Sequence, residues 1–130
     1  MSAILTSPLI VIVDDEPLVR EATENLLRSA GLRSVGFGSA EEFLDSAQHR
    51  NAGCLILDVQ LPGMSGLELQ DVLACTGPGV PIVFLTAHDD ADGRTASRAL
   101  KAGAKAFLRK PMGHDDLLCA VQSALESSHA

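Results

Sequence analysis

The chain alternates short runs of consecutive apolar residues with longer segments in which apolar residues recur every three or four positions. The first such run is Leu9–Val13. An uninterrupted apolar run predicts a strand buried on both faces, whereas the three-and-four spacing predicts an amphipathic helix. Pro17 and Gly31 stand where the helix after this strand would begin and end.

The same alternation continues to the end of the chain. Each helix-like segment follows a strand-like run, and two of them open with a Ser-x-x-Glu capping box. Repeated strand–helix units predict a parallel sheet with helices on both faces, in one compact α/β domain. The further strand-like runs are Arg33–Phe37, Gly53–Leu57, Pro81–Leu85 and Ala106–Leu108, and the capping boxes are Ser39 with Glu42 and Ser65 with Glu68.

Composition narrows the class of protein. The 130 residues suit one domain, and 46% hydrophobic residues suffice for a core without disulfides or a structural metal. The net charge of −7 argues against direct nucleic-acid binding, which needs clustered cations. No segment resembles a secretory signal or is apolar for long enough to span a membrane, so we expect a cytoplasmic protein.

The three cysteines, Cys54, Cys75 and Cys119, form no C-x-x-C pair. Their number is odd and their spacing wide, which predicts reduced thiols rather than disulfides. Cys54 lies inside an apolar run and is expected to be a small buried hydrophobe.

Reactive polar groups follow four of the five strand-like runs. They are Asp14–Asp15, Asp58, Thr86 and Lys110. Each alone could be a turn, a cap or a solvated charge, but the carboxyl ends of parallel strands share one edge of the sheet, where ligands bind. Three carboxylates held together favour a hard divalent cation such as Mg²⁺, and a carboxylate can act as a nucleophile toward phosphoryl groups.

These residues, taken in order, resemble the receiver family of two-component response regulators. The resemblance rests on Asp14–Asp15, Leu57–Gly66 around Asp58, Thr86–Ala87 and Lys110–Pro111, and it extends from about Leu9 to Leu125. It implies a flavodoxin-like doubly wound (βα)5 sandwich whose five parallel strands are ordered 2-1-3-4-5. Residues 1–130 would form a single receiver domain with a core of about 9–126. The motif sequences most resemble those of receivers attached to helix-turn-helix output domains.

The resemblance also assigns roles to individual residues. Asp58 would be the phosphoacceptor, and Phe107 would be a switch residue together with Thr86. Pro111 would follow a cis peptide bond. The implied metal ligands are Asp14, Asp15, Asp58 and the backbone carbonyl of Gln60, holding Mg²⁺ or Mn²⁺, and the implied phosphate-binding residues are Thr86, Ala87 and Lys110.

The implied partners are a sensor histidine kinase or a His-containing phosphotransfer protein. Phosphorylation would change a surface formed by the fourth helix, fifth strand and fifth helix, around Arg94–Ala102, Ala106–Arg109 and Asp115–Leu125. That surface would control a homodimer, an output domain or an effector outside this chain, with no membrane contact. The domain would be no enzyme beyond its own phosphotransfer and autodephosphorylation.

Specific residues argue against several other functions. An Asp-nucleophile phosphohydrolase needs a second Asp where this chain has Gln60. A flavin-binding protein would need a phosphate-binding loop after the first strand. In this chain that loop is Asp14–Glu16, whose carboxylates would repel phosphate. A calcium loop starting at His88 would need Glu where this chain has Ala99. A receiver-like module that binds partners without phosphorylation stays open.

Overall fold

The computed structural model describes residues 8–46, 52–75, 80–86, 93–110 and 113–127. Within these ranges, five strands alternate with five helices, as the hydrophobic pattern predicts. The strands are β1 Leu9–Val13, β2 Arg33–Phe37, β3 Ala52–Asp58, β4 Ile82–Thr86 and β5 Ala106–Arg109; the helices are α1 Pro17–Ser29, α2 Ala40–Asp45, α3 Gly66–Cys75, α4 Arg94–Lys101 and α5 His114–Ser127.

All five strands run parallel in one sheet of order β2-β1-β3-β4-β5. The flavodoxin-like topology is thereby confirmed. Val13 at the end of β1 lies opposite Leu57 of β3, and Asp58 lies opposite Leu85 of β4. This register brings the residues that follow β1, β3 and β4 to the same edge, beside the point where the strand order reverses.

The core has two layers because alternate strand residues point to opposite faces of the sheet. Val11 and Val13 of β1 belong to one layer, with residues of α2, α3 and α4, and Ile10 and Ile12 belong to the other, with residues of α1 and α5. Helices therefore cover both faces, and the continuous apolar runs of the sequence are explained by burial on two sides.

Both predicted serine N-caps form, and the capping box is reciprocal at Ser65 and Glu68, whereas the Glu42 carboxylate accepts from the Gly38 N–H at 3.4 Å. The Ser39 hydroxyl accepts a hydrogen bond from the Glu42 N–H at 3.1 Å, and the Ser65 hydroxyl accepts one from the Glu68 N–H at 3.1 Å. Glu68 in turn accepts from the Ser65 N–H at 2.9 Å. These contacts fix where α2 and α3 begin, and α3 begins directly after the loop that follows Asp58.

Cys54 is fully buried, which confirms its prediction as a core residue. Burial raises the pKa of its thiol to about 12, so the thiol stays protonated at neutral pH. Cys75 and Cys119 are exposed and free. Over the part of the chain that the structure describes, no helix combines the length and the apolar character that crossing a membrane requires.

Candidate functional site

Asp58 is the last residue of β3, and only 5% of its surface is exposed. One carboxylate oxygen, Oδ1, accepts a hydrogen bond from the Gln60 N–H at 3.0 Å. The backbone after it is tied to its neighbours, since Val59 donates to the Leu85 carbonyl at 3.0 Å and Gly66 donates to the Val59 carbonyl at 2.9 Å. The carboxylate is therefore held in one orientation at the edge of the sheet.

Lys110 follows β5 and joins the carboxylates of that edge. Its Nζ lies 2.7 Å from Asp14 Oδ2, 3.1 Å from Asp58 Oδ2 and 3.5 Å from Glu16 Oε1. Its backbone N–H donates to the Thr86 carbonyl at 2.7 Å, which places Lys110 beside the end of β4. The structure thus brings Asp14, Asp58 and Lys110 into direct contact, although they lie far apart in the sequence.

Asp14 is almost fully buried at the end of β1 and is fixed at several atoms. Its N–H donates to the Phe37 carbonyl at 3.1 Å, and its Oδ1 accepts from the Glu16 N–H at 2.9 Å. Its carbonyl accepts from the Arg20 guanidinium at 2.7 Å. The β1–α1 turn is consequently built around this one aspartate.

Glu16 takes a place in the site that the sequence analysis did not give it. The carboxylates of Asp14, Glu16 and Asp58 have ligand atoms within 4.8 Å of one another, and Asp15 is exposed and outside this group. Glu16 directly precedes α1, and its N–H donates to Asp14 Oδ1 at 2.9 Å, so the turn after β1 brings these two residues together. The spacing Asp14-x-Glu16 was the signal that could have identified it. The metal-ligand role of Asp15 stays a prediction.

Burial dominates the electrostatics of the site. Burial raises the pKa of Asp58 above its ordinary value, and the nearby Asp14 charge adds to this, despite opposing contributions from the Gln60 N–H and Lys110. Burial lowers the pKa of Lys110, but its hydrogen bond to Asp14 and the charges of Asp58 and Asp14 outweigh that effect and raise it overall. The Lys110 ammonium is therefore charged at neutral pH, whereas burial destabilises the ionised form of the Asp58 carboxylate.

The donor set fits a hard divalent cation. Three carboxylates converge within the described part of the chain, and oxygen ligands of this kind suit Mg²⁺ and Mn²⁺. The Lys110 ammonium lies among their oxygens and stands in for a cation there, because it neutralises the same charges. These residues could therefore bind a metal.

The remaining predicted residues occupy the same end of the sheet or lie outside the described ranges. Thr86 is buried at the end of β4. Phe107 of β5 is partly buried and packs on Phe84, with ring centroids 6.0 Å apart. Ala87 and Pro111, with the neighbouring His88 and Met112, fall outside the described residues, so their roles stay predictions.

The loop after Asp58 has a further anchor on α2. The Glu41 carboxylate accepts a hydrogen bond from the Met64 N–H at 2.9 Å, which lowers the pKa of Glu41. Gly63, next to Met64, has φ of +73°, and a Cβ there would lie 2.6 Å from Glu41 Oε2. The glycine therefore permits both the left-handed backbone and the close approach of Glu41.

Comparison with known proteins agrees with this geometry. The model of the response regulator receiver domain family matches residues 10–122. This chain belongs to that family. Response regulator protein TmoT of Ectopseudomonas mendocina is 47% identical to this receiver domain over 118 residues, covering 91% of this chain and 53% of TmoT.

Solved structures give the same result for this receiver domain. The response regulator StyR superposes with a TM-score of 0.84 at 46% identity, over 92% of this chain and 60% of the StyR chain. A response regulator receiver protein from Burkholderia phymatum superposes with a TM-score of 0.79 at 41% identity, over 92% of this chain and 96% of that one. The chain spans about half the length of the curated relatives it matches.

Proposed function

We propose that this receiver domain is the phosphoacceptor switch of a two-component, His-to-Asp phosphorelay system, with Asp58 as the phosphoacceptor. The observation that carries the proposal is the buried Asp58 carboxylate, paired with Lys110 at 3.1 Å and adjoining Asp14 and Glu16. A buried carboxylate next to an ammonium and a metal-compatible carboxylate pair is suited to accept a phosphoryl group.

The cofactor we propose is Mg²⁺, for which Mn²⁺ could substitute. Asp14 and Asp58 would be ligands, together with the Gln60 carbonyl and either Asp15 or Glu16. When bound, the cation would neutralise the anionic phosphodonor and the charge that develops on the transferred group.

The phosphotransfer step uses residues already at the edge of the sheet. An Asp58 carboxylate oxygen attacks phosphorus as the bond to the donor's histidine nitrogen breaks, giving an aspartyl phosphate and a free imidazole. Lys110 moves from the carboxylates to the new phosphoryl oxygens. The Thr86 hydroxyl and the backbone of Ala87 bind the remaining oxygens. The donor is a sensor histidine kinase or a His-containing phosphotransfer protein.

The signal would then pass through β4 and β5. Movement of Thr86 toward the phosphoryl group opens space into which Phe107, now packed on Phe84, can turn. This rearrangement alters the surface of α4, β5 and α5 and so controls homodimerisation or an output partner. The domain catalyses only its own phosphotransfer and autodephosphorylation. We also propose that residues 1–130 form one receiver domain and that it works in the cytoplasm.

Intact mass after incubation with acetyl phosphate tests the proposal. We expect one added phosphoryl group in the wild type with Mg²⁺, and none in Asp58→Asn or in wild type with EDTA. Asp71→Asn, which changes an exposed aspartate of α3, is the matched control and should be phosphorylated normally. An unmodified wild type under cold quenching with excess donor would contradict the proposal and favour a phosphorylation-independent binding module.

A further inference from the structure

Arg20 is a partly buried residue of α1 that reaches the site without touching any carboxylate in it. Its Nη1 donates a 2.7 Å hydrogen bond to the backbone carbonyl of Asp14. A charged donor on a neutral carbonyl at this distance is a strong hydrogen bond. The bond crosses from the end of the first turn of α1 to the residue after β1, so it braces the turn that carries Asp14.

Gly36 of β2 leaves room for the Arg20 side chain. A Cβ on Gly36 would lie 2.8 Å from Arg20 Cγ and 2.9 Å from Cδ. Since real Cβ atoms do not approach other atoms so closely, any side chain at this position would displace the Arg20 stem. Gly36 lies opposite Ile12 of β1, beside the path that the stem takes toward Asp14. The pair Arg20 and Gly36 therefore forms one structural unit.

The Arg20 contact with Asp14 differs from the Lys110 contact in its expected fate during phosphoryl transfer. Lys110 holds Asp14 Oδ2 at 2.7 Å, but it must leave that oxygen to meet a phosphoryl group. Arg20 holds the main chain and leaves both carboxylate oxygens available. It can therefore keep Asp14 in place after Lys110 has moved.

We propose that Arg20 is a positioning residue that holds the Asp14 carboxylate in its cation-binding orientation, and that Gly36 is required for it to do so. This inference rests on the proposed function. Arg20 would affect metal affinity in two opposite ways. Positioning of Asp14 raises the affinity, whereas the charge of the guanidinium lowers it by repelling the cation. The two effects can consequently be separated by the direction in which metal affinity changes.

The test is a Mn²⁺ titration followed by electron paramagnetic resonance, which needs no aromatic reporter. We expect Arg20→Gln to weaken Mn²⁺ binding about tenfold, the low end of the range for residues that support metal ligands. Arg28→Gln makes the same charge change at an exposed site of α1 and should leave the affinity unchanged. Unchanged or tighter Mn²⁺ binding by Arg20→Gln would overturn the inference.

Gly36→Ala provides a second test that keeps the charge. We expect it to weaken Mn²⁺ binding in the wild type and to have little further effect in Arg20→Gln, because both changes remove the same contact. Independent, additive losses would contradict the pairing of Arg20 with Gly36. Circular dichroism at the assay temperature identifies any variant that has lost its fold.

Phosphorylation kinetics separate a positioning role from a general loss of structure. In Arg20→Gln, the Mg²⁺ concentration for half-maximal phosphorylation should rise about tenfold while the rate at saturating Mg²⁺ stays within about twofold. A lower saturated rate with unchanged half-saturation would count against positioning. Wild-type protein that neither binds Mn²⁺ nor accepts a phosphoryl group would instead refute the proposed function itself.

Discussion

At the scale of single residues, the site places Asp58 in an environment that opposes its own charge. The side chain is buried, its neighbour Asp14 carries the same charge, and one ammonium compensates them both. Such a carboxylate reduces the stability of the folded state, and proteins tolerate this where the group has a function. The pKa of Asp58 is raised because burial destabilises its ionised form.

We therefore expect Asp58→Asn to stabilise the protein by about 1 kcal/mol at pH 7 in EDTA, measured by urea unfolding. A carboxyl whose pKa is raised by folding costs stability when ionised, and the cost disappears below its ordinary pKa of 3.8. The advantage of the variant should accordingly shrink as the pH falls toward 4.

The control for this prediction is Asp71→Asn, whose exposed ion pair with Arg98 should matter little. If Asp58→Asn were less stable than the wild type at pH 7 in EDTA, pairing with Lys110 would outweigh burial, and the electrostatic description of the site would be wrong.

The position of a site residue was predictable from the sequence where it follows from the end of a strand. Asp14, Asp58, Thr86 and Lys110 each come directly after or at the end of an apolar run, and the parallel sheet brings them together. Arg20 could not be found in this way, because its contact depends on the path of a long side chain past Gly36.

At the scale of elements, the close contact between α3 and β3 fixes the orientation of Asp58. A Cβ on Gly66, the first residue of α3, would collide with the Asp58 carbonyl oxygen and would lie 3.0 Å from Val59 Cα. These are backbone atoms of the strand end and the loop, so they cannot yield as a flexible side chain would. Helix α3 can begin where it does only with glycine at this position.

Gly66→Ala should lower the free energy of unfolding by about 2–3 kcal/mol through overpacking. It should also slow phosphorylation at temperatures where the variant is folded, because Asp58 would be displaced. Urea unfolding and timed intact mass measure the two effects.

Gly31→Ala is the matched control for Gly66→Ala. Gly31 has φ of +80° and nothing within 4 Å of a Cβ, so the change should cost only backbone strain of about 1 kcal/mol and leave phosphorylation normal. Equal effects of the two substitutions on phosphorylation would contradict the role of the α3–β3 contact.

The boundaries of the elements were predictable where a local signal marks them. Pro17, Ser39 and Ser65 each mark a helix start that the structure reproduces. Strand pairing was not predictable from the hydrophobic pattern, because apolar runs buried on both faces carry no register. The order 2-1-3-4-5 came from the family resemblance, and the sheet confirms it.

At the scale of the whole molecule, the fold acts as a frame that brings distant chain segments to one edge of a sheet. Asp14, Asp58 and Lys110 belong to β1, β3 and β5 or to the turns after them, and the two core layers hold those strands rigidly. Under the proposed function, phosphorylation at this edge would reach the surface of α4, β5 and α5 through this packed frame.

The central claim is that the phosphoryl group resides on Asp58. Loss of phosphorylation in Asp58→Asn is indirect evidence, because the substitution also changes the partners of Lys110. The direct measurement is borohydride reduction of the phosphorylated wild type, followed by fragmentation of its peptides in a mass spectrometer. We predict homoserine at position 58 and unmodified aspartate at Asp14 and Asp15. Homoserine at either of those residues, or at none, would contradict the account.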